Sequence, residues 1–182
     1  MITASNRVRR KVFISYHHDD QAEVNQFIHT FDHLHDVFIF RALGLANDII
    51  NSNDTNYVMR RIREDYLKDS TVTIVLAGRC TWARRYVDWE IQASLRNGQT
   101  VIPNGLLGIV LPSATASPRA PERLLLNLQG SDHTLGYARW QWYPQSIEQL
   151  AGLIEDAYQA RTVRARLIQN PRERFVYNRE CP

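Results

Sequence analysis

Residues 71–77, Thr-Val-Thr-Ile-Val-Leu-Ala, form a β-branched and almost uninterrupted apolar run. A strand with one wet face alternates apolar and polar residues, whereas a run like this suits a strand covered on both faces, the usual setting of a parallel sheet between helices. The flanking sequence agrees. Residues 11–15 (KVFIS) and 37–40 (VFIF) read as shorter strands, and between them Val24, Phe27, Ile28, Phe31 and Leu34 recur on one helical face. Asp20 and Glu23 are spaced as a capping box that would open this helix. Asp54 is placed to cap a second helix that turns Val58, Ile62 and Tyr66 inward. A third helix is predicted over 81–97, followed by a strand at 100–102 or 106–111.

Proline sharpens the outline. None occurs before Pro103, and Pro103, Pro112, Pro118, Pro121 and Pro144 then follow closely. Residues 112–136 read as an irregular insertion with one short helix, and 139–143 (RWQWY) alternate as an edge strand does. Pro144 is expected to start a last helix that buries Ile147, Leu150, Ala151, Ile154, Ala157 and Tyr158. The sum is a flavodoxin-like, doubly wound α/β fold: a parallel five-stranded sheet flanked by helices, with right-handed crossovers. Ligands in that architecture bind at the carboxyl ends of the strands. Residues 1–168 are read as a single domain and 169–182 as a basic C-terminal tail.

Composition narrows the function classes. At 182 residues, 44% hydrophobic and 23% charged, the chain suits one globular domain with a substantial core. Its longest apolar runs are too short to span a bilayer. Arg7, Arg9, Arg10 and Lys11 are followed by only a few uncharged residues before His17, which excludes a signal-peptide core. Cys80 and Cys181 lie far apart without a CxxC spacing, so neither a disulfide framework nor a zinc cluster is expected; Cys80 reads as a structural thiol and the compartment as the cytoplasm. The net charge of +3 belongs to the C-terminus, where six arginines between 161 and 179 face only Glu173 and Glu180. A solvated helix end near its own dipole explains that segment better than a nucleic-acid surface does.

Several tenants of the fold lack their residues here. No GxGxxG follows the first strand, and no GxxxxGK or GxSxG occurs; the third strand ends Leu76-Ala77-Gly78, without a phosphate-accepting aspartate. Ser131, Asp132 and His133 are adjacent in sequence and cannot converge as a triad. His29 and His33 share a helix face with His35 just beyond, but no HExxH glutamate accompanies them, and metal binding is not expected. Glu90 stands out. On the third helix Val87, Ile91, Ser94 and Leu95 define the buried stripe, and Glu90 falls at its edge, near the sheet's carboxyl rim. It reads either as a carboxylate facing a ligand crevice, with Tyr86 as an aromatic wall one turn earlier, or as an ion-pair partner of Arg84 or Arg85. Trp89 is predicted to face solvent on the outer side, as a contact residue.

Two segments resemble a known family. Val12-Phe13-Ile14-Ser15-Tyr16-His17-His18-Asp19-Asp20 resembles the first-strand motif of TIR domains, and Arg84-Arg85-Tyr86-Val87-Asp88-Trp89-Glu90-Ile91 resembles their W-x-x-x-E helix, closest to the TIR-like sensors of the bacterial Thoeris anti-phage system. The resemblance covers about residues 10–110. It implies a flavodoxin-like fold and, in enzymatic members, cleavage of the nicotinamide–ribose bond of NAD, which is then substrate rather than cofactor. It makes Glu90 the catalytic residue and places Ser15, Tyr16, His17, His18, Arg41 and Tyr86 around the substrate. It departs from the pattern at Tyr86, where many members carry Trp, and at the histidines, where several carry Arg. It further implies a homo-oligomer in which loop 41–56 of a neighbour completes the site, with Trp89 as an interface anchor. A phage protein would be the trigger, and the product nucleotide would act on a separate downstream effector. A catalytically silent TIR interaction module is the alternative, and an unrelated ribose-handling enzyme such as a nucleoside deoxyribosyltransferase a more distant one.

Overall fold

A computed structural model describes residues 8–41, 54–130, 135–170 and 173–182. Five strands form one sheet: β1 (Arg10–Ser15), β2 (Phe38–Phe40), β3 (Val72–Ala77), β4 (Gly105–Val110) and β5 (Arg139–Gln141). Their order is β2-β1-β3-β4-β5, and every pairing is parallel. This is the expected doubly wound order, with its switch point between β1 and β3, where connections leave toward opposite faces. The register sets Ser15, the last residue of β1, beside Val75. Every residue of β3 and β4 is buried, as the unbroken apolar run requires.

The helices are α1 (Gln21–Ile28), α2 (Thr55–Arg61), α3 (Arg85–Ser94), α4 (Glu122–Leu125) and α5 (Ile147–Val163). One face of the sheet packs Val12, Ile14, Ile74 and Ile109 against Val24, Phe27 and Phe31 from the α1 region and Leu150, Ile154 and Ala157 from α5. The other face carries α2 and α3, where Phe13 meets Val58, Met59, Ile62 and Trp89. Fully buried aromatic and aliphatic side chains such as Phe13, Phe27 and Ile74 each contribute about 1.5–3 kcal/mol relative to exposure. Gly105 is required by packing: a Cβ there would lie 2.0 Å from the Ala157 carbonyl oxygen of α5.

Several expectations at element ends are corrected. Asp20 precedes α1 but makes no side-chain cap, and Glu23 instead accepts from the Ser113 amide at 3.3 Å, so the capping box is absent. Leu34 is 59% exposed because α1 widens into a π turn over His29–Leu34, which rotates the end of the apolar stripe outward. The third helix breaks into a 3-10 turn (Thr81–Ala83) and α3, with Arg84 extended between them. Of the two candidate strands after it, 106–111 is the one formed, as β4, while Val101 makes only an isolated bridge with Gly98. Pro144 precedes the last helix, whose cap is Ser146 accepting from the Gln149 amide at 3.1 Å. The Asp54 cap forms as expected, accepting from the Asn56 and Tyr57 amides. The inward placement of Tyr66, most of loop 41–56 and the Ser131-Asp132-His133 segment lie outside the described residues or side chains.

The largest correction concerns the C-terminus. Cys80 and Cys181 form a disulfide with their Cα atoms 5.6 Å apart, against the expectation of unpaired thiols. The chain end returns to the β3–α3 connection, a contact that a sequence separation of 101 residues conceals. The tail arginines are also less solvated than expected. Arg161 donates to the Pro103 carbonyl, Arg164 forms a two-pronged pair with Asp156, and Arg179 pairs with Glu122. Among the described residues no helix is long and apolar enough to cross a membrane.

Candidate functional site

The carboxyl end of β1 meets the start of α3 at the switch point. Ser15 is 1% exposed, and its hydroxyl donates to Glu90 Oε2 at 2.6 Å. Glu90 keeps a partial opening to solvent yet is densely surrounded by protein, and among the described residues Ser15 is its hydrogen-bond partner. Burial pushes its carboxyl up to about 7, and the Ser15 hydrogen bond, which favours the ionised form, opposes the rise. Neither Arg84 nor Arg85 pairs with it. Arg85 instead lies over the Tyr86 and Trp89 rings and donates to the Val176 carbonyl. The ion-pair reading of Glu90 therefore fails, and its position at the edge of the stripe is realised.

The loop after β1 supplies neighbours. Tyr16 donates its phenol hydrogen to Gln21 Oε1 at 2.6 Å; burial, against that hydrogen bond, raises its pKa, and the Glu90 charge raises it further, which places the two groups in electrostatic reach. His17 is 5% exposed; burial and then the Arg84 charge lower its pKa, so the imidazole is held neutral. His18 is exposed and sits 2.9 Å from Asp19 Oδ1. Ligand atoms of His17, His18 and Asp19 lie within 4.8 Å of one another, the described grouping whose spacing suits a metal ion. His29 and His33, in contrast, meet as rings at 6.0 Å, with His33 near Asp32.

Two of the expected site residues point elsewhere. Arg41 follows β2, whose pairing with β1 ends at Val12, and it forms an ion pair with Asp69 at 2.6 Å ahead of β3. That places it near the middle of β1, short of the carboxyl rim where Ser15 lies. Tyr86 packs edge-on against Trp89 at 5.2 Å, lies under the Arg85 guanidinium and packs against the cluster of Phe13, Val58, Met59 and Ile62, so its described contacts run to the α2 side of α3. Tyr16 is the aromatic on the Glu90 side. Trp89 itself is 4% exposed, and its indole N–H donates to the Phe175 carbonyl at 2.8 Å. Trp89 packs among Phe13 of β1 and Val58, Met59 and Ile62 from the α2 region, with the Phe175 carbonyl on its indole N–H, so it is not an exposed anchor.

Sequence reasoning passed over two residues at this rim. Asp20 reaches across the switch point: Thr81 donates its hydroxyl to Asp20 Oδ2 at 3.2 Å and accepts from the Gly78 amide at 2.9 Å. A Cβ at Gly78 would fall 2.1 Å from the Asp20 carboxylate, so glycine is what lets the β1 and β3 loops close on each other. Burial, with the Glu23 and Asp19 charges in support, raises the Asp20 pKa. The second residue is Arg84, whose buried Nε has no hydrogen-bond partner although its charge is felt at His17. The only advance signal for either was position, one after the first strand and one ahead of the third helix.

With this geometry in place, the chain can be set beside known families. The family model for the Thoeris protein ThsB, TIR-like domain, matches residues 13–116, which include Ser15, the β1 loop and Glu90. No curated protein matches the chain.

Proposed function

Since the chain belongs to the TIR-like domain family of the Thoeris protein ThsB, we propose that it cleaves NAD at the nicotinamide–ribose bond and releases an ADP-ribose derivative as a defence signal. The observation that carries this reading is the Glu90 carboxyl: set at the sheet's carboxyl rim, hydrogen-bonded to Ser15, without a cationic partner among the described residues, and poised near neutrality. A group so placed is poorly explained by stability and well suited to meet developing positive charge.

In this mechanism the C1′–N bond of the ribose breaks, its electron pair leaves with nicotinamide as a neutral base, and C1′ becomes oxocarbenium-like. Glu90, oriented by Ser15, stabilises that charge through the ribose hydroxyls. The positive nicotinamide ring of bound NAD itself favours the ionised form of Glu90. Neutral His17 adds no opposing charge, and Arg84, with its unsatisfied Nε, suits the substrate's diphosphate. The nucleophile at C1′ sets the product: water gives ADP-ribose, a hydroxyl of the same molecule a cyclic isomer, an amino-acid side chain a conjugate. A phage protein as trigger, a self-assembled active form and a separate effector that reads the product complete the proposal.

The test is incubation of purified protein with NAD, with and without lysate from phage-infected cells, followed by mass analysis. Release of nicotinamide with an ADP-ribose species is expected. NAD left intact under both conditions would instead favour a non-catalytic interaction module.

A further inference from the structure

The end of the chain is a strap across the start of α3. Phe175 donates its amide to Asp88 Oδ2 at 2.9 Å and accepts from Trp89, while Arg85 donates to the Val176 carbonyl. The Arg179 amide donates to the Ala83 carbonyl at 2.8 Å, and its guanidinium pairs with Glu122. Asn178 has the most specific role. Arg84, at the N-cap position of α3, offers no side-chain cap, and the Asn178 carboxamide oxygen accepts from the Arg85 amide at 2.9 Å in its place. The helix that carries Glu90 is thus capped by a residue 93 positions further along the chain. Open helix ends fray unless their first amides find partners, and here the partner arrives on a distant segment without helix or strand.

A segment without helix or strand, held largely by polar contacts, opens more readily than the core elements do. Here the Cys80–Cys181 disulfide pins it, joining residue 181 to the turn between β3 and α3. Both cysteines are half-buried, and Cys181 Sγ lies at the exposed surface near the Arg79 carbonyl, so an incoming thiolate has access. We propose that Cys80–Cys181 is a thiol-exchange site that latches the strap onto α3, and that a dithiol reductant unseats the strap and frees the first turn of the helix carrying Glu90.

The chemistry closes. One thiolate of the dithiol attacks a sulfur of the bridge, the S–S bond breaks, and the departing cysteine thiolate takes up a proton. The second thiol of the reductant then displaces the mixed disulfide, leaving two cysteine thiols and the oxidised, cyclic dithiol. Two electrons pass from reductant to protein. The strap, no longer tethered, leaves the Arg85 amide without its cap and the Trp89 indole N–H without its acceptor. Lower NAD turnover after reduction rests on the NAD-cleaving reading above, whereas the movement of the strap does not.

The experiment compares air-oxidised protein with protein treated with dithiothreitol, by amide hydrogen exchange over 85–89 and 175–181 and by mass after thiol alkylation. Reduction should add two alkylated cysteines, speed exchange in both segments by about tenfold or more, and lower any turnover several-fold. Cys181→Ser should exchange quickly from the outset and ignore dithiothreitol. The proposal is overturned by two alkylatable thiols in the oxidised protein, by unchanged exchange after complete reduction, or by a dithiothreitol response that persists in Cys181→Ser. Strap release with no turnover in either redox form would keep the latch and overturn the enzymatic reading instead.

Discussion

Asp88 and Glu90 stand two residues apart on α3, both densely surrounded by protein, and the protein treats them in opposite ways. Asp88, 3% exposed, is held by Arg123 at 3.0 and 3.3 Å and by the Phe175 amide, so its charge is met from two directions. Arg123 is itself fully buried and reaches Asn170 and the Glu173 carbonyl, which ties α3, α4 and the chain end into one closed polar network. Glu90 has one neutral hydroxyl. A buried charge with complete compensation serves structure; a buried carboxyl left nearly alone costs stability and is retained for another use.

The sharpest way to break this contrast is to neutralise each acid separately. Asp88→Asn leaves the Arg123 guanidinium buried without its counter-ion and should destabilise the fold by about 3–5 kcal/mol, read by chemical denaturation. Glu90→Gln should do the reverse. The folded-state pKa of Glu90, about 7, lies above its ordinary value of 4.5, so its stabilising contribution is complete below 4.5 and is lost as pH rises through 7. At pH 8 the glutamine variant should equal or exceed the parent, by up to about 3 kcal/mol before allowance for the partial solvent contact of Glu90. The same substitution should cut NAD turnover about 100-fold or more, the usual cost of removing a preorganised electrostatic group. A Glu90→Gln variant that is both active and less stable would erase the distinction between the two acids.

Ser15 sharpens the comparison from the other side, because it is the one group holding Glu90 toward ionisation. Turnover should rise with pH through about 7 in the parent protein, as the carboxylate form accumulates. Ser15→Ala removes a hydrogen bond to the charged form, worth about 1–1.5 kcal/mol, and should move that rise to higher pH by about one unit. A pH–rate profile on both proteins checks it; coincident profiles would detach Ser15 from the ionisation of Glu90.

The sequence made one of these acids legible and hid the reason for the other. Glu90 could be placed because a helical wheel and the sheet's carboxyl rim are both local inferences, the first from the Val87, Ile91 and Leu95 stripe and the second from strand order. The all-buried β3 was readable for the same reason: seven contiguous residues carry the signal. Trp89 was misread because a wheel counts only the helix's own residues, and its cover comes from Phe13, Val58, Met59 and Ile62 on other elements and from the Phe175 carbonyl, 86 positions later. The Cys80–Cys181 pairing, the Asn178 cap and the Asp88–Arg123 pair are invisible for that reason as well. Asp20 failed differently. Its capping-box spacing was real, but Thr81 and Gly78, arriving from the next strand, offered its carboxylate a better-buried partner than the open first turn of α1.

Tyr86 gives the smallest effect and tests how far the functional face of α3 extends. Its ring rests edge-on against Trp89, with the Arg85 guanidinium 4.9 Å from its centre, and packs toward Phe13 and the α2 residues Val58 and Met59. Were it a wall of the Glu90 crevice, Tyr86→Ala would raise the KM for NAD while Tyr86→Trp preserved it. The contacts argue for the other outcome: Tyr86→Ala should remove an aromatic pair and partial burial worth about 1–2 kcal/mol of stability, with the KM changed by no more than about twofold. Tyr86→Trp keeps a ring against Trp89 and should lose less stability than the alanine variant. Steady-state kinetics beside thermal melts separates the cases, and a KM that follows ring size while stability stays flat would move the boundary between structure and site outward by one helical turn.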